Sequence, residues 1–148
     1  MGELSIRRAD KNDLQSWSEM RSVLWPSHTW NDHLSELTEL LRQDSFQGWI
    51  AFNGEKYIGF AEASIRPYAN GCDSRPVVFL EGVFVDESHR NSGVGRRFVT
   101  IVEDWAKSNG ITEIGSDAEF SNEMSHVCHK KWGFEEVERV IYFRKRLA

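Results

Sequence analysis

Only two cysteines, Cys72 and Cys128, occur in 148 residues, too few for a disulfide framework and without the paired spacing of a zinc site. The expectation is two reduced thiols in a cytoplasmic protein, and no metal. No apolar run approaches the ~18 residues of a membrane span, so no membrane association is expected. The first eight residues lack the apolar stretch of a secretory signal, and Ile6 stands where myristoylation prefers Ser or Thr. A basic excess is also missing. Lys and Arg number 18 against 23 Asp and Glu, a net charge of −5, which argues against a general nucleic-acid binder. A mildly acidic surface is common, yet it also suits a cationic ligand. Core material is what the chain has. It is 40% hydrophobic, with six Trp and nine Phe, which excludes intrinsic disorder. The length suits a single domain over residues 1–148.

Hydrophobic periodicity sets out the elements. Leu4–Ala9 reads as an opening strand. Asp10 is a good N-cap for a helix with Leu14, Trp17, Met20 and Leu24 on one face, stopped at Trp25-Pro26. A second helix carries Leu34, Leu37, Leu40 and Leu41. Strands Gly48–Phe52 and Tyr57–Ile65 flank an Asn53-Gly54 hairpin signal. A loop, Arg66–Arg75, precedes the strand Val77–Val85. Phe98, Ile101, Val102, Trp105 and Ala106 then make the cleanest helical stripe, ended at Gly110. Glu113–Asp117 is a short strand. Asn122–Trp132 is a helix expected to turn Met124, Val127, Cys128 and Trp132 inward. Phe134–Glu138 and Val140–Arg146 are expected as closing strands. The fold class is therefore α/β (α+β), a mixed central sheet flanked by about four helices.

The stretch from Leu80 to Phe98 carries the chemistry. A buried strand runs into Arg90-x-x-Gly93-x-Gly95, and an amphipathic helix follows. Glycines let the backbone turn tightly and approach a ligand. The first amides of a helix are unpaired and its dipole favours an anion. Three readings compete: a plain glycine-bearing helix start, a dinucleotide loop, or the pyrophosphate loop of an acyl-CoA enzyme. The dinucleotide fingerprint fails where its third glycine should stand, at Phe98, and seven residues separate Val85 from Gly93. Glu81 lies between Leu80 and Gly82 in a nearly continuous apolar run, where a carboxylate needs a partner.

Arg90-x-x-Gly93-x-Gly95 after Val83-Phe84-Val85 resembles the signature of the GCN5-related N-acetyltransferase superfamily. Asn122-x-x-Ser125-x-x-x-His129-x-x-x-Gly133-Phe134 resembles its second cofactor segment. A narrower resemblance, to the aminoglycoside 6'-N-acetyltransferases, runs through Trp25-Pro26-x-His28, Gly71-Cys72-Asp73, Pro76 to Gly82, Ser116-Asp117 and Glu138 to Ile141. It implies acetyl-CoA as donor, a polycationic antibiotic as acceptor, direct transfer in a ternary complex, and a homodimer. Val83, Phe84 and Val85 would pair with pantetheine. Asn91, Ser92, Gly93, Val94, Gly95 and Arg96 would hold the pyrophosphate, and Asn122 the pantetheine arm. Trp25, His28, Tyr68, Glu81, Asp117 and Glu138 would contact the aminoglycoside.

An alkyl amine, with a reference pKa of about 10.4, arrives protonated and needs an acceptor, for which Glu81 and Asp117 are the candidates. A backbone N–H near Val83–Val85 would stabilise the oxyanion. Many members place a tyrosine as general acid where this chain has His129. Plainer roles remain open: Asp117 as a strand-end turn residue, Glu138 as a partner of Arg139 or Arg144, Trp25 and Tyr68 as packing aromatics, and His129 packed beside Cys128. Two other functions also remain: acetylation of a polyamine or protein N-terminus, and acyl-CoA binding without catalysis.

Overall fold

Alternation along one strand decides how the layers stack. Trp49 and Ile50 are neighbours in the strand Phe46–Asn53, so their side chains leave opposite faces of the sheet. The computed structural model describes residues 2–148, and two compact parts divide at Asp117.

In the first part, β1 (Leu4–Arg8), β2 (Phe46–Asn53), β3 (Lys56–Arg66), β4 (Val77–Val85) and β5 (Ile114–Ser116) form one sheet in the order β1-β2-β3-β4-β5. Neighbours are antiparallel except β4 and β5, which are parallel, so the sheet is mixed as expected. Three helices cover it: α1 (Leu14–Leu24), α2 (Trp30–Leu40) and α3 (Val94–Ser108). Ile50 joins Trp17, Leu37, Phe46 and Phe60 in a core on the α1 and α2 side. Trp49 meets Trp105 of α3 edge-on at 5.6 Å, on the other side. Boundaries differ from the sequence reading by one or two residues, as the end of a strand fixed by pairing often does.

Local chemistry explains where the helices begin and end. Thr29 and Asp32 form a reciprocal capping box at α2. Trp25, ahead of Pro26, leaves the helical region at φ −124° and ψ 74° and closes α1. Asp10 and Asp13 make a second capping box in a short 3-10 turn before α1.

Asp13 also ties the layers together. Its buried carboxylate accepts two hydrogen bonds of 2.8 Å from Arg7 on β1, one of 2.7 Å from the Tyr57 hydroxyl on β3, and one of 2.8 Å from the Asp10 amide. Burial alone would raise this carboxyl. The Arg7 and Asp10 hydrogen bonds outweigh it and hold the group below the ordinary 3.8. A depressed carboxyl stabilises the fold above its unfolded value and stops doing so once protonated. Stability is therefore expected to be complete in this respect above about pH 5 and to fall as acid is added below it. Asp13→Asn should flatten that acid limb, as read by urea midpoints across pH. An unchanged slope would contradict the assignment.

The second part holds α4 (Glu123–Lys131), whose N-cap Asn122 accepts from the Ser125 amide at 3.1 Å. Two expectations fail here. Met124 and Val127 are 73% and 47% exposed rather than inward. The closing strands Phe134–Glu138 and Val140–Arg146 do not form, and residues 134–148 carry no regular structure. A strand needs an edge to pair with, and among the described residues none is paired with 134–148. Val137, Ile141, Tyr142 and Phe143 stand exposed in that segment.

Candidate active site

Two irregularities of the sheet meet at Glu81. Across β3 and β4, Glu62 pairs with Gly82 while the next residue, Ala63, pairs with Leu80. Glu81 is thus the extra residue of a β-bulge, a device that re-aims a side chain. On the other side, β4 and β5 pair only from Val78 and Ile114 to Leu80 and Ser116. Past that point the pairing stops, and β5 itself ends at Ser116. Glu81 and Asp117 are each one residue beyond the last pair, and among the described residues Gly82–Val85 has no strand neighbour on the β5 side. A bared edge of this kind can pair with an extended ligand.

The loop after β4 is braced from several directions. Asp86 caps a 3-10 turn, Glu87–His89, and faces Lys56 at 3.7 Å. Asn53, at the end of β2, contacts the His89 Nε2 at 3.0 Å. Arg90 folds back and donates from Nε to the Val85 carbonyl at 2.9 Å, so it fixes the loop. Asn91 and Gly93 take left-handed conformations at φ 61° and 89°. α3 then starts with no side chain capping its N-terminus. Its first amides and its dipole are therefore offered to an anion, with Gly95 and Arg96 in the first turn. The bared edge and the uncapped helix fit the pantetheine arm and the pyrophosphate of acetyl-CoA.

A cavity of about 520 Å³ lies beside this point, with Trp25, His28, His33, Glu36, Glu62 and Glu81 in its wall. The full lining holds three carboxylates against one guanidinium, Arg21, an acidic balance that suits a cation. Glu81 is oriented by Arg66, whose Nη2 and Nε reach its two oxygens at 2.7 and 3.0 Å, and by the Ser64 hydroxyl. A carboxylate has about four acceptor positions. Arg66 uses one on each oxygen and Ser64 a second on Oε2, which leaves one on Oε1. The Trp25 indole comes close enough to β4 that a Cβ at Gly82 would sit 2.6 Å from it.

Of the residues predicted to contact substrate, Trp25, His28 and Glu81 thus share one cavity wall. Asp117 stands at the strand split instead, and Tyr68 is 59% exposed with the Arg75 guanidinium over its ring at 5.3 Å. Glu138 is an exposed residue of the second part. There, His129 donates from Nδ1 to the Ser125 carbonyl at 2.7 Å, between the rings of Trp132 and Phe134. In the neutral ring this leaves the lone pair on Nε2.

Sequence reasoning missed the most buried residues of the cavity wall. Glu62, 1% exposed, accepts from Trp17 and twice from Arg21. Burial pushes its carboxyl up, and the Arg21 guanidinium opposes that. Glu62 sits in an apolar strand as Glu81 does, and the same signal pointed to it. Among the described residues, no group of three or more His, Cys, Asp or Glu side chains is placed to hold a metal ion. Nor is any helix there long and apolar enough to cross a membrane.

Known proteins bear directly on this geometry. The profile of the acetyltransferase (GNAT) family matches residues 17–134. The aminoglycoside N(6')-acetyltransferase type 1 of Salmonella enteritidis is 44% identical over 97% of this chain and 99% of its own. A solved aminoglycoside 6'-N-acetyltransferase from Acinetobacter baumannii superposes with a TM-score of 0.93 at 39% identity, covering 99% and 100% of the two chains. The structure of AAC(6')-Iy with a bisubstrate analogue, CoA-S-monomethyl-acetylneamine, gives 0.92 at 44% identity and the same coverage.

Proposed function

Since the chain belongs to the GNAT acetyltransferase family and to its aminoglycoside N(6')-acetyltransferases, we propose that it moves the acetyl group of acetyl-CoA to the 6'-amine of aminoglycoside antibiotics and so confers resistance. The observation that carries this reading is the meeting at Glu81 of a bared strand edge and a carboxylate-lined cavity. All 148 residues act as one acetyltransferase domain, in the cytoplasm, where its two free cysteines stay reduced.

Acetyl-CoA supplies an activated thioester. Val83, Phe84 and Val85 pair with its pantetheine arm, Asn122 holds the same arm, and Asn91 to Arg96 hold the pyrophosphate. The acceptor enters as an ammonium, and Trp25, His28, Tyr68, Asp117 and Glu138 orient it. Glu81 takes one proton, directly or through a water, at the open position on Oε1. The amine nitrogen then bonds to the acetyl carbon and the carbon–sulfur bond breaks. A backbone N–H at the bared edge meets the charge that develops on the carbonyl oxygen. His129 Nε2 takes the amine's second proton and passes it to the departing thiolate. With a thiol reference pKa of about 8.5, that leaving group needs little assistance.

The working form is a homodimer in which the exposed, strand-prone Val137–Phe143 segment finds its partner edge in a second copy. Sedimentation should give twice the mass of one chain, and half of that should follow truncation after Gly133. A monomeric full chain would contradict it.

The activity is tested by thiol release from acetyl-CoA with tobramycin, spermidine and a peptide with a free N-terminus. Saturable turnover with tobramycin is expected. Turnover confined to spermidine or the peptide would overturn the substrate assignment and leave the acetyl-CoA site standing.

A further inference from the structure

Deep in the cavity wall lies a chain of buried polar groups, Glu62, Arg21 and His33, with no part in the transfer just described. Glu62, Arg21 and His33 are 1%, 3% and 2% exposed. Glu62 Oε2 accepts from Trp17 Nε1 at 2.9 Å and from Arg21 Nε at 2.8 Å, and Oε1 accepts from Arg21 Nη2 at 3.0 Å. Arg21 Nη1 stands 3.5 Å from His33 Nδ1. A guanidinium can only donate, so that nitrogen carries the lone pair. His33 Nε2 therefore bears the proton, and it donates to the Trp25 carbonyl at 3.1 Å. The Arg21 guanidinium also lies 4.9 Å from the centre of the Trp25 indole. Trp25 is thus held twice, by its backbone and by its ring.

Trp25 opens the linker between α1 and α2, and its neighbours Ser27 and His28 line the cavity with it. The indole rests on β4 at Gly82, the residue after Glu81. Wherever the linker goes, the wall facing Glu81 goes too. A buried ion pair is a weak source of stability compared with apolar residues of the same volume.

We propose that Glu62, Arg21 and His33 form a positioning relay that sets Trp25 and the linker after it, and thereby determines which amines the cavity accepts. This rests on the aminoglycoside reading for the identity of the amine. None of the three residues touches the reacting atoms; they act through Trp25.

His33→Phe tests it, since the ring keeps its volume and loses both nitrogens. The KM for tobramycin is expected to rise about tenfold, equivalent to about 1.4 kcal/mol, with kcat and the KM for acetyl-CoA within about twofold of the parent. His33→Gln, whose amide can both donate and accept, should recover most of the loss. Independently of turnover, 5-fluorotryptophan labelling should show the Trp25 resonance, assigned with Trp25→Phe, moving in His33→Phe. If His33→Phe does not fold, Arg21→Lys carries the same measurements. It keeps the charge beside Glu62 and withdraws the guanidinium from His33 and from the indole. An unmoved Trp25 resonance, an unchanged tobramycin KM, or an equal rise in both KM values would overturn the relay. A moved resonance in a protein that acetylates no aminoglycoside would overturn the substrate reading and leave the relay in place.

Discussion

Glu81→Gln is expected to lower kcat by about 100-fold or more while acetyl-CoA still binds, the scale of removing a general base. The amide keeps the size of the side chain and an oxygen for Arg66 or Ser64. It cannot take a proton. Position makes Glu81 the stronger base candidate of the two carboxylates. It is the extra residue of the bulge, immediately before the bared edge at Gly82–Val85. Arg66 and Ser64 hold it at three acceptor positions, so its remaining one is fixed in direction. Asp117 follows the last pair of β5 and lies outside the cavity wall. Asp117→Asn should therefore raise the aminoglycoside KM more than it lowers kcat. Steady-state kinetics with both substrates separates the two roles. A Glu81→Gln enzyme with parental kcat would remove Glu81 as the base.

Arg21→Met should destabilise the fold by about 3–5 kcal/mol, the cost of leaving a buried charge without its partner. Glu62 is 1% exposed and draws three of its hydrogen bonds from Trp17 and Arg21. Glu36, which Arg21 also reaches at 3.4 Å, is itself an acid and cannot compensate the Glu62 charge once Arg21 is gone. The double variant Arg21→Met with Glu62→Leu removes both charges and should regain much of the stability, because apolar replacement of a buried pair is often neutral. Urea midpoints for the two single variants and the double variant give the coupling. Additive losses would show that the pair does not act as a unit. A stable double variant with a poor aminoglycoside KM would separate the relay's positioning from its contribution to stability.

The parts legible in the sequence were those written in one stretch of chain. The period of Phe98, Ile101, Val102 and Trp105 gave α3, and the spacing of Arg90, Gly93 and Gly95 gave the loop ahead of it. Glu81 was legible as a carboxylate in an apolar strand. Glu62, between Ala61 and Ala63, shows the same anomaly, but no motif around it marks a site. The bulge was not legible, because an extra residue appears only when the registers of two strands are compared. Met124 and Val127 followed a helical period, which identifies a face without saying what covers it. Val137–Phe143 has the composition of a strand, and composition does not supply a partner edge. Arg66, Ser64, Arg21 and His33 reach Glu81 or Glu62 from other elements, so only the folded chain brings them together.

The central claim is transfer to one particular nitrogen, and thiol release with a matched pair of substrates tests it most directly. One is tobramycin and the other its counterpart with a hydroxyl in place of the 6'-amine. Saturable turnover of tobramycin and none of its counterpart is the predicted result. Equal turnover of both would place the acetyl group on another nitrogen and contradict the account.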